Sequence, residues 1–252
     1  MKTYTAYCFD LDGTVYHGQE VIPEALQAIK RLRKSGVKPF YVTNNAKMTQ
    51  QQIYDKMSGM GIELELDHIM TSAIATAKYI ALHYPQKTVY MVGEDGLRQA
   101  LLAEGIQILD DHADIVVQGI DFHITYEKIE EACYQLQNDA LYIATNSDIK
   151  VPRERGFVPG NGSLVNLISA VTNKTPLFIG KPEPHMLQML QRSFNLEKDR
   201  MIMIGDNYDT DILAGVHFGI DTLHVNTGVT STAELLKKEQ PATYTMQTLH
   251  EL

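Results

Sequence analysis

Cysteine is scarce in this chain, with two in 252 residues. Cys8 and Cys133 lie far apart in sequence, each inside an apolar pattern, which excludes a disulfide scaffold and predicts free thiols in a reducing compartment. Cations are also few: 22 Lys and Arg stand against 31 Asp and Glu, a formal charge of −9. The one dense basic run, Lys30-Arg31-Leu32-Arg33-Lys34, falls on a helical pattern and reads as a solvated helix face, so no nucleic-acid partner is expected. No apolar stretch approaches the ~18 uncharged residues of a membrane span. Met1 to Tyr7 carries no apolar run of a secretory leader. A cytoplasmic protein without a membrane partner is therefore the expectation. Glycine (17) and proline (9) are too sparse for a collagenous or low-complexity chain.

What is present is an ordinary globular composition, 44% hydrophobic and 21% charged. Short apolar runs alternate with helical patterns, the mark of βαβ units and a parallel sheet. Strands are predicted at Tyr4–Phe9, Phe40–Thr43, Ile69–Thr71, Val89–Val92, Ile106–Leu109, Ile115–Val117, Leu141–Ala144, Leu177–Ile179, Met201–Ile204 and Thr222–Val225. Helices fall between them, including one capped by Ser72 and stopped by Pro85, and one over Asp209–Phe218.

Ligands of open parallel sheets sit beyond the carboxyl ends of the strands, so polar residues there are the candidates for chemistry. Phe9-Asp10-Leu11-Asp12-Gly13-Thr14 runs an apolar strand into two carboxylates, and a glycine then lets the backbone turn. Taken alone, the pair could equally be a solvated Asp-Gly turn. Three further strand ends weigh against that. Val42-Thr43-Asn44 supplies a hydroxyl and an amide, Gly180-Lys181-Pro182 a cation, and Gly205-Asp206-Asn207-Tyr208-Asp209-Thr210-Asp211 an acidic loop. Clustered carboxylates repel unless a hard cation lies among them, and Mg²⁺ is held by one or two carboxylates together with substrate phosphate oxygens. The set points to metal-assisted phosphoryl chemistry. An EF-hand is excluded: counted from Asp206, the third position is Tyr208 and the sixth Asp211, where a glycine is required. Asp209 reads first as a loop or helix N-cap residue and second as a ligand. Gly160-Asn161-Gly162-Ser163 could be an anion site at a helix start, but Ser163 as an N-cap explains it as well. The nine histidines lack metal-ligand spacing, and Met186, Met189, Met201 and Met203 read as core.

These motifs resemble those of the haloacid dehalogenase superfamily, specifically its NagD-like phosphatases with a type II cap. Asp10-Leu11-Asp12-Gly13-Thr14-Val15 is similar to the first motif, Thr43-Asn44-Asn45 to the second and Lys181-Pro182 to the third. Gly205-Asp206 with Thr210-Asp211 is similar to the fourth. Thr145-Asn146-Ser147-Asp148 and Gly160-Asn161-Gly162-Ser163-Leu164 resemble the branch's cap signatures.

The resemblance implies a Rossmann-like α/β core over residues 1–81 and 176–252, with a smaller α/β cap inserted over 82–175. It implies Asp10 as the nucleophile forming an aspartyl-phosphate, and Asp12 as the acid and base. Mg²⁺ would be held by Asp10, the Asp12 carbonyl and Asp206, with Asp211 in support. Thr43, Asn44 and Lys181 would grip the phosphoryl group. Asn146, Ser147, Asp148 and Arg153 would lie on a specificity loop. The expected activity is hydrolysis of small phosphomonoesters such as sugar phosphates, nucleoside monophosphates or p-nitrophenyl phosphate; a homodimer is left open. Two alternatives share parts of this constellation: a receiver-like phospho-Asp switch and an Asp-x-Asp sugar transferase.

Overall fold

The computed structural model describes residues 2–153 and 155–252. In chain order the strands are β1 (Ala6–Phe9), β2 (Tyr16–His17), β3 (Glu20–Val21), β4 (Phe40–Thr43), β5 (Ile69–Thr71), β6 (Val89–Val92), β7 (Ile115–Gln118), β8 (Leu141–Ala144), β9 (Lys150–Arg153), β10 (Gly156–Pro159), β11 (Leu177–Phe178), β12 (Met201–Gly205), β13 (Asp221–Val225) and β14 (Tyr244–Met246). The chain divides into two compact units. The first comprises Met1–Thr43, Gln50–Met70 and Lys181–Leu252, the second Asn44–Thr49 and Thr71–Gly180.

The first unit is built on a six-stranded sheet of order β14-β13-β12-β1-β4-β5. β1 lies between β12 and β4 and pairs with both in parallel. Every residue of β1, β4 and β12 is buried, as expected of central parallel strands covered on both faces. The helix Pro23–Lys34 starts on a proline, buries Ala25, Ala28, Ile29 and Leu32, and ends in basic residues that suit the negative end of its dipole. Its basic run is not only solvated. Arg31 donates to the Leu249 and His250 carbonyls, and Arg33 pairs with Glu65 at 2.8 Å. Met186, Met189, Met201 and Met203 are core residues, as predicted.

The second unit has a four-stranded parallel sheet of order β11-β8-β7-β6, packed on a cluster that includes Val92, Val116, Leu136, Val165 and Ile168. The thiols of Cys8 and Cys133 are free and buried. The predicted strand Ile106–Leu109 is reduced to one bridge, Val89 to Ile108, because β6 is the sheet's edge and only the main chain around Val89 meets that segment. Two short hairpins, β2 with β3 and β9 with β10, were not foreseen; each is too short to show an alternating pattern.

Three caps also differ from expectation. Thr71 rather than Ser72 caps the helix Ser72–His83, its Oγ1 accepting from Ile74 N at 3.1 Å. Gly160 precedes the helix Asn161–Thr172, and Ser163 instead donates to the Ile149 carbonyl. Asn207, not Asp209, caps the turn after β12. In each case the displaced residue lies within three positions of the cap, so composition alone could not separate them.

Within the second unit Asp114 joins the start of β6 to that of β7. Its carboxylate accepts from Lys87 Nζ at 2.7 Å and from Thr88 N and Oγ1, both at 2.9 Å. The Lys87 bond first, then those from Thr88, hold its pKa down at about 2. A depressed carboxylate adds stability above its ordinary range, and that stability is lost as pH falls through the folded value. Asp114→Asn should therefore melt below the wild type at neutral pH, with the difference shrinking between ~pH 4 and ~pH 2 in an acid titration followed by circular dichroism.

Candidate active site

The carboxyl ends of β1, β4 and β12 lie side by side, and each delivers one functional group. Asp10 continues β1, its N–H donating to the Ile204 carbonyl at 2.8 Å, so its backbone is fixed by the sheet. Thr43 ends β4. Asp206 follows Gly205 at the end of β12. After Asp206 the chain makes a π-helical turn over Tyr208–Ile212, and this wide turn carries Asp211 back toward the strand end, where its Oδ2 accepts from Asn207 N at 3.0 Å.

Lys181 ties these groups together. Its Nζ donates to Asp10 Oδ1 at 2.5 Å, Asp211 Oδ1 at 2.7 Å and the Val42 carbonyl at 3.0 Å, and the residue is only 2% exposed. Burial disfavours its charge, yet the carboxylates of Asp10 and Asp211 more than offset that and raise its pKa, so it stays an ammonium. Burial, followed by repulsion from Asp211, pushes Asp10 well above the ordinary carboxylate range, with Lys181 pulling the other way. Asp206 is raised by burial and by Asp211, against bonds from Val229 N at 2.7 Å and Thr14 Oγ1 at 3.0 Å.

Carboxylate oxygens of Asp10, Asp206 and Asp211 fall within 4.8 Å of one another. With only one ammonium beside three acidic groups, ionising all three leaves two negative charges unbalanced; burial, and then this repulsion, raises Asp10 and Asp206, and all the donors are hard oxygens. That is a donor set for a divalent cation such as Mg²⁺. Asp12 is exposed, on a tight loop held by Gly13 N to the Tyr16 carbonyl at 2.8 Å.

Glycines make room for these carboxylates. A Cβ on Gly13, whose φ is +93°, would stand 2.6 Å from both Asp206 oxygens. One on Gly228 would collide with Asp206, and one on Gly205 with Asp211. Gly13→Ala should cost about 1–3 kcal/mol from backbone strain alone, read by thermal melting, and displace Asp206 besides. Sequence reasoning missed Thr14, Gly228 and Val229 as partners of Asp206. Thr14 lies inside the first motif and could have been found, whereas the loop at 227–230 carries no local signal.

Of the remaining predicted residues, Asp209 lies in the first unit and the others in the second. Asn44 Nδ2 donates to both carboxylate oxygens of Asp148, at 3.2 and 3.3 Å. Asn146 Nδ2 donates to the Asn44 carbonyl at 2.9 Å, and its Oδ1 accepts from Asp148 N at 3.2 Å. The helix start at Gly160 is not free to bind an anion, because the N–H groups of Gly160 and Gly162 go to the Ile149 and Asp148 carbonyls. Arg153 lies on the exposed Phe122 ring, 4.8 Å from its centroid, and Lys47 stands 5.2 Å from the same ring. Asp209 is exposed and paired with Lys238 at 2.9 Å.

A haloacid dehalogenase-like hydrolase model matches residues 7–107, and a HAD-hydrolase-like model matches residues 178–252. The acid sugar phosphatase of Staphylococcus saprophyticus is 45% identical over 253 residues, covering 100% of this chain and 98% of its own. A crystal structure of a thermostable NPPase from Geobacillus stearothermophilus superposes with a TM-score of 0.94 at 40% identity, over 100% of this chain and 99% of its own. The 4-nitrophenylphosphatase of Thermotoga maritima gives a TM-score of 0.93 at 31% identity, over 98% and 95%. With the full length matched, this chain belongs to the haloacid dehalogenase superfamily, in its NagD-like branch, and is a phosphoric monoester hydrolase.

Proposed function

We propose that the protein hydrolyses small phosphorylated metabolites, sugar phosphates foremost, in two displacements at phosphorus that use Asp10, with Mg²⁺ held by Asp10, the Asp12 carbonyl and Asp206. The observation that carries this reading is the buried assembly of Lys181 with Asp10 and Asp211 beside Asp206. Lys181 occupies Asp10 Oδ1 and so leaves Oδ2 to attack phosphorus. As the Oδ2–P bond forms, the ester P–O bond breaks and the leaving oxygen takes the proton of Asp12. Asp12, now a carboxylate, accepts a proton from water. The water oxygen bonds to phosphorus, the Asp10–P bond breaks, and inorganic phosphate and the Asp10 carboxylate are released.

Exposure of Asp12 suits a group that must exchange protons with substrate and water in turn. Lys181 and Thr43 provide donors for the phosphoryl oxygens, and Asn44, the next residue, can add to that set only through its main-chain N–H, because its side-chain amide is given to Asp148. Asp211 supports the site by holding Lys181. When bound, Mg²⁺ supplies electrostatic stabilisation of the charge developing on the transferring group. Hydrolase relatives over the full length weigh against the receiver-switch and sugar-transferase alternatives.

Sugar phosphates are placed first because the relatives include acid sugar phosphatases. Purified protein is expected to hydrolyse p-nitrophenyl phosphate with Mg²⁺ and to lose that activity in EDTA. Across a panel of phosphorylated metabolites, kcat/KM should rank a sugar phosphate above nucleoside monophosphates. Activity undiminished by EDTA would remove the metal from the reading, and a nucleotide at the head of the ranking would remove the substrate class.

A further inference from the structure

Three of the four passages of the chain between its two units, those at Thr43–Asn44, Met70–Thr71 and Gly180–Lys181, bring residues to Asn44. Asn44 is the first residue of the second unit and is peptide-bonded to Thr43, the last of β4. Its carbonyl accepts from Ser72 Oγ at 2.7 Å and from Asn146 Nδ2 at 2.9 Å, and its side-chain amide donates to Asp148. Ser72 stands one residue beyond another passage, at Met70–Thr71. Gly180, the last residue of the second unit, precedes Lys181. Its N–H donates to the Thr145 carbonyl at 2.8 Å, and a Cβ there would lie 2.7 Å from Asn44 Oδ1 and 2.9 Å from Asn146 Cβ. Beneath the cluster, Asn161 Nδ2 donates to the Asn146 carbonyl at 2.8 Å. Ser72, Thr145, Asn146 and Asn161 are all at most 4% exposed.

Thus Asn146 and Asp148, on the loop expected to read the substrate, direct side-chain bonds to the chain itself. We propose that Asp148 and Asn146 are positioning residues. By clamping Asn44 beside Gly180, they fix the two covalent neighbours Thr43 and Lys181 that grip the phosphoryl group. The inference rests on the phosphoryl-binding roles proposed for Thr43 and Lys181. Its consequence is specific: the phosphoryl group is common to every substrate, so loosening the clamp should slow all esters by the same factor, whereas a residue that reads the leaving group would change their ranking.

The test compares Asp148→Ala, Asn44→Asp and the exchanged pair Asn44→Asp/Asp148→Asn, which restores one carboxylate facing one amide. On p-nitrophenyl phosphate, a hexose phosphate and a nucleoside monophosphate, Asp148→Ala should lower kcat about tenfold, the factor agreeing within about twofold among esters and KM moving less. Asn44→Asp should be worse, since two carboxylates then face each other, and the exchanged pair should recover at least part of the loss. Hydrogen exchange of Asp148→Ala should be faster at residues 44–46 and 180–181 and unchanged at Asp10 and Leu11. A factor that differs more than about fivefold between esters, or an unchanged kcat, overturns the inference. An exchanged pair no better than Asn44→Asp also overturns it, because the Asn44 amide would then meet the phosphate itself. If the wild type hydrolyses no ester, the proposed function fails, and hydrogen exchange alone decides the clamp: faster at both passages supports it, unchanged overturns it.

Discussion

Asp10→Asn will leave a folded protein whose turnover of p-nitrophenyl phosphate is lower by at least about 10⁴-fold. The substitution is nearly isosteric, and the amide oxygen can still accept from Lys181, so β1 and its ladder to β12 remain intact. What is lost is the proposed nucleophile: a neutral amide does not attack phosphorus, and the neighbouring carboxylates cannot replace it. Asp211 is turned to Lys181 and Asn207 N, and Asp206 to Thr14 and Val229 N. Steady-state kinetics with a circular-dichroism melt check both parts. A variant within tenfold of the wild type would remove Asp10 from the reaction.

The largest effect on stability is expected at Lys181. Lys181→Met fills similar volume but strands Asp10 and Asp211, which the ammonium holds at 2.5 and 2.7 Å. Breaking a buried pair by removing one partner costs about 3–5 kcal/mol, because the charge left behind is unpaired. For a chain of this size that is a fall of roughly 6–20 °C in melting temperature. Activity should fall by about 10²–10³ as well, since a fixed cation aimed at the phosphoryl oxygens is gone. Adding Asp211→Asn should return part of the stability, because one stranded charge is removed, and none of the activity. Equal melting of Lys181→Met and wild type, measured by calorimetry without added metal, would contradict the electrostatic reading of the site.

The fold class and the clustering of carboxylates at the strand ends were legible because both are written locally. Fully apolar runs such as Ala6–Phe9 and Met201–Ile204 mark buried parallel strands, and a carboxylate follows within two residues of each end. The convergence of Asp10, Lys181, Asp206 and Asp211 followed from the parallel topology and a family resemblance. Other features arise only in three dimensions. The loop at 227–230 reaches Asp206 through Val229 N and the missing Cβ of Gly228, and neither residue has a periodicity that would reveal it.

The division at Thr43/Asn44, Thr49/Gln50, Met70/Thr71 and Gly180/Lys181 falls in continuous αβ pattern with no linker composition. The helix Ser72–His83 looks like any other helix packed on a sheet. The role of the 145–148 loop was hidden for a related reason: Asn, Ser and Asp are turn residues in any context, and only the partners of Asn146 and Asp148 show that they hold Asn44.

The most direct test of the two-step reaction through Asp10 is the stereochemical course at phosphorus. With a phosphorothioate monoester made chiral at phosphorus by ¹⁶O and ¹⁸O, hydrolysed in ¹⁷O water, two successive in-line displacements predict net retention of configuration in the inorganic thiophosphate released. Net inversion would mean that water attacks the ester directly, and would contradict the covalent role of Asp10.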